Sequence, residues 1–185
     1  MSKRKAEVRK LLEELKIAID DRDDELILIT MNTETYENRE GENIMKILIT
    51  PGKSSHVVET IMVIVPFCYI LAPNMNTSAL HEFFLVQNFS YPLVKFSYDA
   101  QDGEIQARVD LAVGNKPMEK EQLAYALAAL HNTMENIHDT VVALIAQKPS
   151  FKDSEQRKAE NIVDRALSSS KESIENSDED DDFWI

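Results

Sequence analysis

The chain is poor in the residues that would tie it to several common classes. It has one cysteine, Cys68, so no internal disulfide can form, which fits a reducing cytosol. Positive charge is scarce: 20 Lys and Arg stand against 33 Asp and Glu, a net charge of −13 that argues against non-specific binding to nucleic acid or to an anionic membrane. Long apolar runs are missing. The longest, Ile61–Ala72, is interrupted by Pro66 and falls short of the ~20 residues a membrane helix needs. Lys3, Arg4 and Lys5 are followed by no apolar core, so no signal peptide is expected and a cytoplasmic location is. There are only four glycines, and none completes a catalytic motif. Gly52-Lys53-Ser54 looks like the end of a phosphate loop, but the glycine required five residues earlier is Ile47, and the segment from Val57 reads as strand where a helix would have to follow. No G-x-S-x-G elbow occurs.

What the chain does have is periodicity. Residues 77–90 read as a helix carrying Leu80, Phe83, Phe84, Leu85, Val86 and Phe89. A helix with one wet face shows an apolar stripe of roughly 100°, whereas this one is apolar around most of its circumference and must be covered on two sides. Asn74 or Asn76 can cap its start, and Tyr91-Pro92 ends it. Two alternating strands follow, 93–98 and 104–111, around Asp99-Ala100-Gln101-Asp102-Gly103.

Upstream, Val8, Leu11, Leu12, Leu15 and Ile19 mark an amphipathic helix over residues 2–19, stopped by Asp20-Asp21-Asp23-Asp24 at its unfavourable C-terminal end. Strands are expected at 26–31, 44–50 and 57–67. The last is so apolar that it should be central and covered on both faces, with Pro66 at its end or edge. Downstream, a helix from Met118 to about Gln147 carries Leu123, Leu127, Leu130, Met134, Ile137, Val141 and Leu144 at spacings of 4, 3, 4, 3, 4 and 3. This heptad seam is read as a helix lying across its own sheet rather than as a coiled coil.

The domain is placed at residues 1–149. Residues 150–167 read as a linker or short helix, with Asp153-x-x-Gln156 resembling a capping box. Residues 168–185 hold one Lys and seven acidic groups and read as a disordered acidic tail. That tail ends in Asp181, Asp182, Phe183, Trp184 and Ile185. Acid extends such a strand and steers it to basic surfaces, and large apolar residues with a free carboxylate can then fill a pocket. These five residues are the candidate contacts for a protein partner. In composition and position the tail looks like the acidic tips of bacterial single-stranded DNA-binding proteins, which dock on partner enzymes.

The element order α-β-β-β-α-β-β-α implies an α+β fold with an antiparallel five-stranded sheet packed by helices. It resembles the fold shared by type III secretion chaperones and the YbjN-type bacterial proteins. The residues that carry the likeness are LHEFFLVQNFSYPLVKFSYDAQDGEIQARVDL and, after it, MEKEQLAYALAALHNTMENIHD. The resemblance implies a small, acidic, non-enzymatic dimer. It suggests that a second subunit's helix covers the outer side of residues 77–90, through Leu80, Phe83 and Phe84. The extension from Phe151 departs from a compact secretion chaperone.

Other candidate chemistry reduces to plainer readings. His131, Glu135 and His138 share one helix face, and Glu135-x-x-His138 has the spacing used in di-iron bundles, but those need two such motifs and two further glutamates. A solvated polar face explains them, with a metal or small-molecule site across a dimer as the rival. His56 and His81 read as surface or interface residues. Cys68 follows a buried strand with nothing basic beside it and reads as inert. No catalytic residue, cofactor or metal ligand is assigned. The expected function is protein binding by a homodimer, chaperone-like, adaptor-like or regulatory, aided by the tail.

Overall fold

The computed structural model describes residues 3–20, 26–52, 59–72, 77–114 and 116–146. The chain divides into two units, Met1–Gln147 and Lys148–Ile185, and every described residue belongs to the first. The expected linker or helix at 150–167 and the acidic tail lie outside the described residues, as do Lys53, Ser54, His56, Asn74 and Asn76.

The elements are α1 (Lys3–Glu14), β1 (Ile19–Asp20), β2 (Ile27–Asn32), β3 (Ile44–Pro51), β4 (Thr60–Ile70), α2 (Ser78–Ser90), β5 (Lys95–Tyr98), β6 (Glu104–Ala112) and α3 (Lys120–Ala146). The strands form one antiparallel sheet in the order β1-β2-β3-β4-β6-β5. The α+β class and the antiparallel sheet are as expected, but the described residues form six strands rather than five.

The added strand is Ile19–Asp20, paired with Leu28 and Ile29. The apolar spacing suggested a helix through Ile19, yet α1 stops five residues earlier. Lys16 takes a left-handed φ of 59°. The N–H of Ile17 then reaches back to the carbonyl of Leu12, and that of Lys16 to Glu13. This is a Schellman closure with lysine where glycine is usual, so no residue announces it.

β4 lies between β3 and β6, the central position its composition implied. Pro66 does not end it. The strand runs on to Ile70 through a bulge, since Val65 pairs with Ala107 and Tyr69 with Ile105. Gly103 closes the β5–β6 hairpin with φ of 78°, and a Cβ there would stand 2.3 Å from the carbonyl oxygen of Leu71.

The core is one cluster. Alternate strand residues (Ile27 and Ile29, Met45 and Ile47, Ile61 and Val63, Ala107 and Val109) meet Val8, Leu11 and Leu12 of α1, Leu80 and Phe84 of α2, and the α3 seam. Leu123, Leu127, Leu130, Met134, Ile137 and Val141 are all buried within the chain, so the heptad pattern serves the helix's own sheet. Arg4 bonds Glu7 within α1 and ties the helix to Glu59 at 2.7 Å and to the carbonyls of Gly114 and Lys116.

Candidate protein-interaction surface

Helix α2 reads SALHEFFLVQNFS and contains one charged side chain, Glu82. Its N-cap, Thr77, makes no side-chain capping bond. At the other end Tyr91 is extended, Pro92 follows, and Lys95 Nζ donates to the carbonyls of Asn88 at 2.8 Å and Tyr91 at 3.4 Å. A cation placed there complements the helix dipole.

The apolar residues divide between two faces. Leu80 and Phe84 point inward and are 1% and 7% exposed. The Phe84 ring meets Phe96 at 4.8 Å, Phe83 at 5.6 Å and Tyr69 at 6.3 Å. Leu85, Val86 and Phe89 point outward and are 69%, 54% and 91% exposed. The expected association contact at Leu80, Phe83 and Phe84 therefore needs correction. Leu80 and Phe84 are already buried in the core of the same chain, Phe84 against Phe96 and Tyr69, and Phe83 is half-buried. The uncovered stripe is Leu85, Val86 and Phe89. Both 80/84 and 85/89 are i, i+4 pairs, so periodicity alone could not say which one faces the sheet.

Beside the stripe a cavity of about 350 Å³ opens between α2 and β5, lined by His81, Phe84, Leu85, Asn88, Phe96 and Tyr98 among others. The His81 and Tyr98 rings lie 5.0 Å apart, and His81 Nε2 is buried without a hydrogen-bond partner among the described residues. Such an orphan costs about 1–3 kcal/mol, which a docked polar group would remove.

β5 is an edge strand, yet its edge is partly closed. The Asn88 carboxamide accepts from the Phe96 N–H at 2.7 Å and donates to the Phe96 carbonyl at 3.1 Å. One side chain thus occupies both outward-facing backbone groups of Phe96, which an incoming strand would need. At the opposite edge, β1 is only two residues long. Both are known ways of blunting sheet edges, so the exposed chemistry favours side-chain packing on α2 over strand addition. No local sequence signal marks Asn88 for this task, because its partner lies eight residues away across a turn.

The polar face of α3 is engaged, not simply solvated. Glu135 accepts the backbone N–H groups of Glu34 at 2.8 Å and Thr35 at 2.7 Å, and His131 Nε2 lies 3.0 Å from the Asn32 carbonyl. These residues fasten α3 to the β2–β3 connection. His138 is buried, with Nδ1 at 3.4 Å from the Tyr69 hydroxyl and its ring edge-on to Tyr36. Among the described residues no group of His, Cys, Asp and Glu has the arrangement of a metal site. Cys68 is buried, its Sγ donates to the Ile105 carbonyl at 3.0 Å, and burial pushes the thiol far up, so it stays protonated. Also among the described residues, no helix is long and apolar enough to cross a membrane.

Burial alone would raise the Glu135 carboxyl, but the N–H bonds from Thr35 and Glu34 outweigh it and hold it below 4.5. The stability that Glu135 contributes is therefore fully present above pH 4.5 and is lost as pH falls through the depressed value. Glu135→Gln replaces one acceptor oxygen with a donor and is expected to cost about 1–2 kcal/mol near neutral pH. Urea melts of both chains from neutral to acid pH check this: the gap should close below the Glu135 titration. An equal gap at all pH values would show that the carboxylate charge is not what holds the loop.

No protein-family model and no curated protein matches the sequence. Among solved structures, one match is the crystal structure of "YbjN, a putative transcription regulator from E. coli", with a TM-score of 0.47 and 12% identity, covering 72% of this chain and 90% of that one. In the arrangement of its helices and antiparallel sheet, this α+β chain is similar to that protein.

Proposed function

We propose that this chain is a non-enzymatic protein-binding module that works as a homodimer, with α2 at the contact between copies. The observation that carries this reading is the stripe Leu85, Val86 and Phe89, exposed on a helix with a single charged side chain. With Tyr98 these side chains offer roughly 400 Å² of apolar surface, the size of the largest patch on an ordinary monomer, which is often functional. A chain of net charge −13 repels its own copies over most of its surface, and the near-neutral α2 is where two can approach at least cost. The partly blocked β5 edge and the short β1 support the same mode, because they disfavour strand addition relative to helix packing.

Asp181, Asp182, Phe183, Trp184 and Ile185 form the second contact in this reading, toward a different protein with a basic, pocketed surface. Deleting Phe183–Ile185 is expected to leave the melting temperature unchanged while reducing recovery of a partner in affinity capture read by mass spectrometry. Equal recovery from intact and shortened chains would remove the tail from the account.

A further inference from the structure

We propose that a cavity beside the β4 bulge binds a small aromatic zwitterion of the α-amino acid class. The cavity holds about 370 Å³ and lies between the β2–β3 loop, the end of β4 and the last turns of α3. That is the lower end of the range for small-molecule sites, matching one ring with a short charged arm.

Its apolar wall is Phe67, Tyr69, Ile70 and Val142. Phe67 sits in the bulge with a left-handed φ of 48°, which bulky residues rarely adopt, and its N–H is held by Glu104 at 2.9 Å. Unlike Lys16, it closes no helix. The effect of this conformation is to leave a phenyl ring 45% exposed at the cavity, facing the same space as Val142 at 46%. Bulges of this kind re-aim side chains and recur beside functional sites. His138 closes the inner end, 8% exposed and oriented by Tyr69.

The opposite wall is a rigid loop. Asn38 Oδ1 accepts the N–H groups of Glu40 at 2.9 Å and Glu42 at 3.0 Å, Lys46 pairs with Glu40, and Glu135 grips the loop's start. Within it, Glu37 and Arg39 are exposed at the cavity and pair neither with each other nor with another described residue. Two unpaired charges of opposite sign on a preorganised loop fit a ligand that carries both: a carboxylate for the Arg39 guanidinium and an ammonium for the Glu37 carboxylate. The ring would lie against Phe67 and Val142, the two apolar side chains exposed there. A plain anion would meet the repulsion of Glu37, and a plain cation that of Arg39.

This inference is independent of the α2 contact, since the two sites share no residue. The test is thermal melting and calorimetry on the full chain with L-phenylalanine and L-tryptophan as probes. At ten times the dissociation constant, a bound amino acid should raise the melting temperature by roughly 3–6 °C. Glycine, which lacks the ring, should give no shift. Phenethylamine and 3-phenylpropanoate, each missing one charge, should bind at least about tenfold more weakly than phenylalanine. Arg39→Ala and Glu37→Ala remove exposed side chains without partners, so both variants should melt like the parent when unliganded and lose about tenfold in affinity. The proposal is overturned if neither amino acid shifts the melt up to about 10 mM, a limit set at weak millimolar affinity. It is equally overturned if 3-phenylpropanoate binds as tightly as phenylalanine, or if Arg39→Ala binds like the parent.

Discussion

Phe89→Asp is expected to give a folded chain that no longer self-associates. The ring is 91% exposed in the single chain and is not part of the core cluster, so the substitution should cost no more than about 1 kcal/mol of stability, including that of an acidic residue in the last turn of α2. In a two-fold contact the same ring is buried twice, once from each copy. At about 25 cal/mol per Å² a phenyl side chain contributes about 3 kcal/mol, and the doubled loss corresponds to roughly four orders of magnitude in dissociation constant. An aspartate in its place also brings like charges together on two acidic chains. Size-exclusion chromatography with light scattering checks the mass, and urea melting checks the fold. A variant that keeps the parent's mass would place the contact elsewhere.

The opposite outcome is expected five residues earlier. Phe84→Ala should destabilise the monomer itself by about 3–5 kcal/mol, because it opens a cavity among Phe83, Phe96 and Tyr69 at the junction of α2 with the sheet. Part of that loss passes to β5, whose Phe96 packs on the ring and is bonded through its backbone by Asn88 of the same helix. Urea denaturation measures it directly. A cost under about 1 kcal/mol would mean that Phe84 faces outward, and the assignment of the two α2 faces would reverse. The two phenylalanines thus separate folding from association on one helix.

Much of this arrangement was legible in the residues. The hairpin around Asp99–Gly103, the long helix after Met118 and the central β4 all follow from local period and turn chemistry, which act over a few residues. What escaped depends on partners distant in sequence or on a conformation the residue type does not advertise. Lys16 in the left-handed region turned the end of an expected helix into strand β1. Pro66, expected at the end or an edge of its strand, instead lies in a bulge of the central strand, where Glu104 of the neighbouring strand takes the Phe67 N–H. Leu80 and Phe84 belonged to a helix apolar around most of its circumference, and only the position of β5 decides that they are core while Leu85, Val86 and Phe89 remain uncovered. Glu135 read as part of a solvated polar face and Asn88 carried no signal at all, yet each satisfies two backbone groups of another segment. In both cases the donors and acceptors that need a partner are backbone atoms, invisible to composition.

Sedimentation equilibrium of the intact chain across a range of micromolar concentrations tests the central claim most directly. Association through α2 predicts a mass near twice 21.1 kDa that falls toward 21.1 kDa on dilution and stays there throughout for Phe89→Asp. A parent chain with a constant mass of 21.1 kDa at every concentration would contradict it.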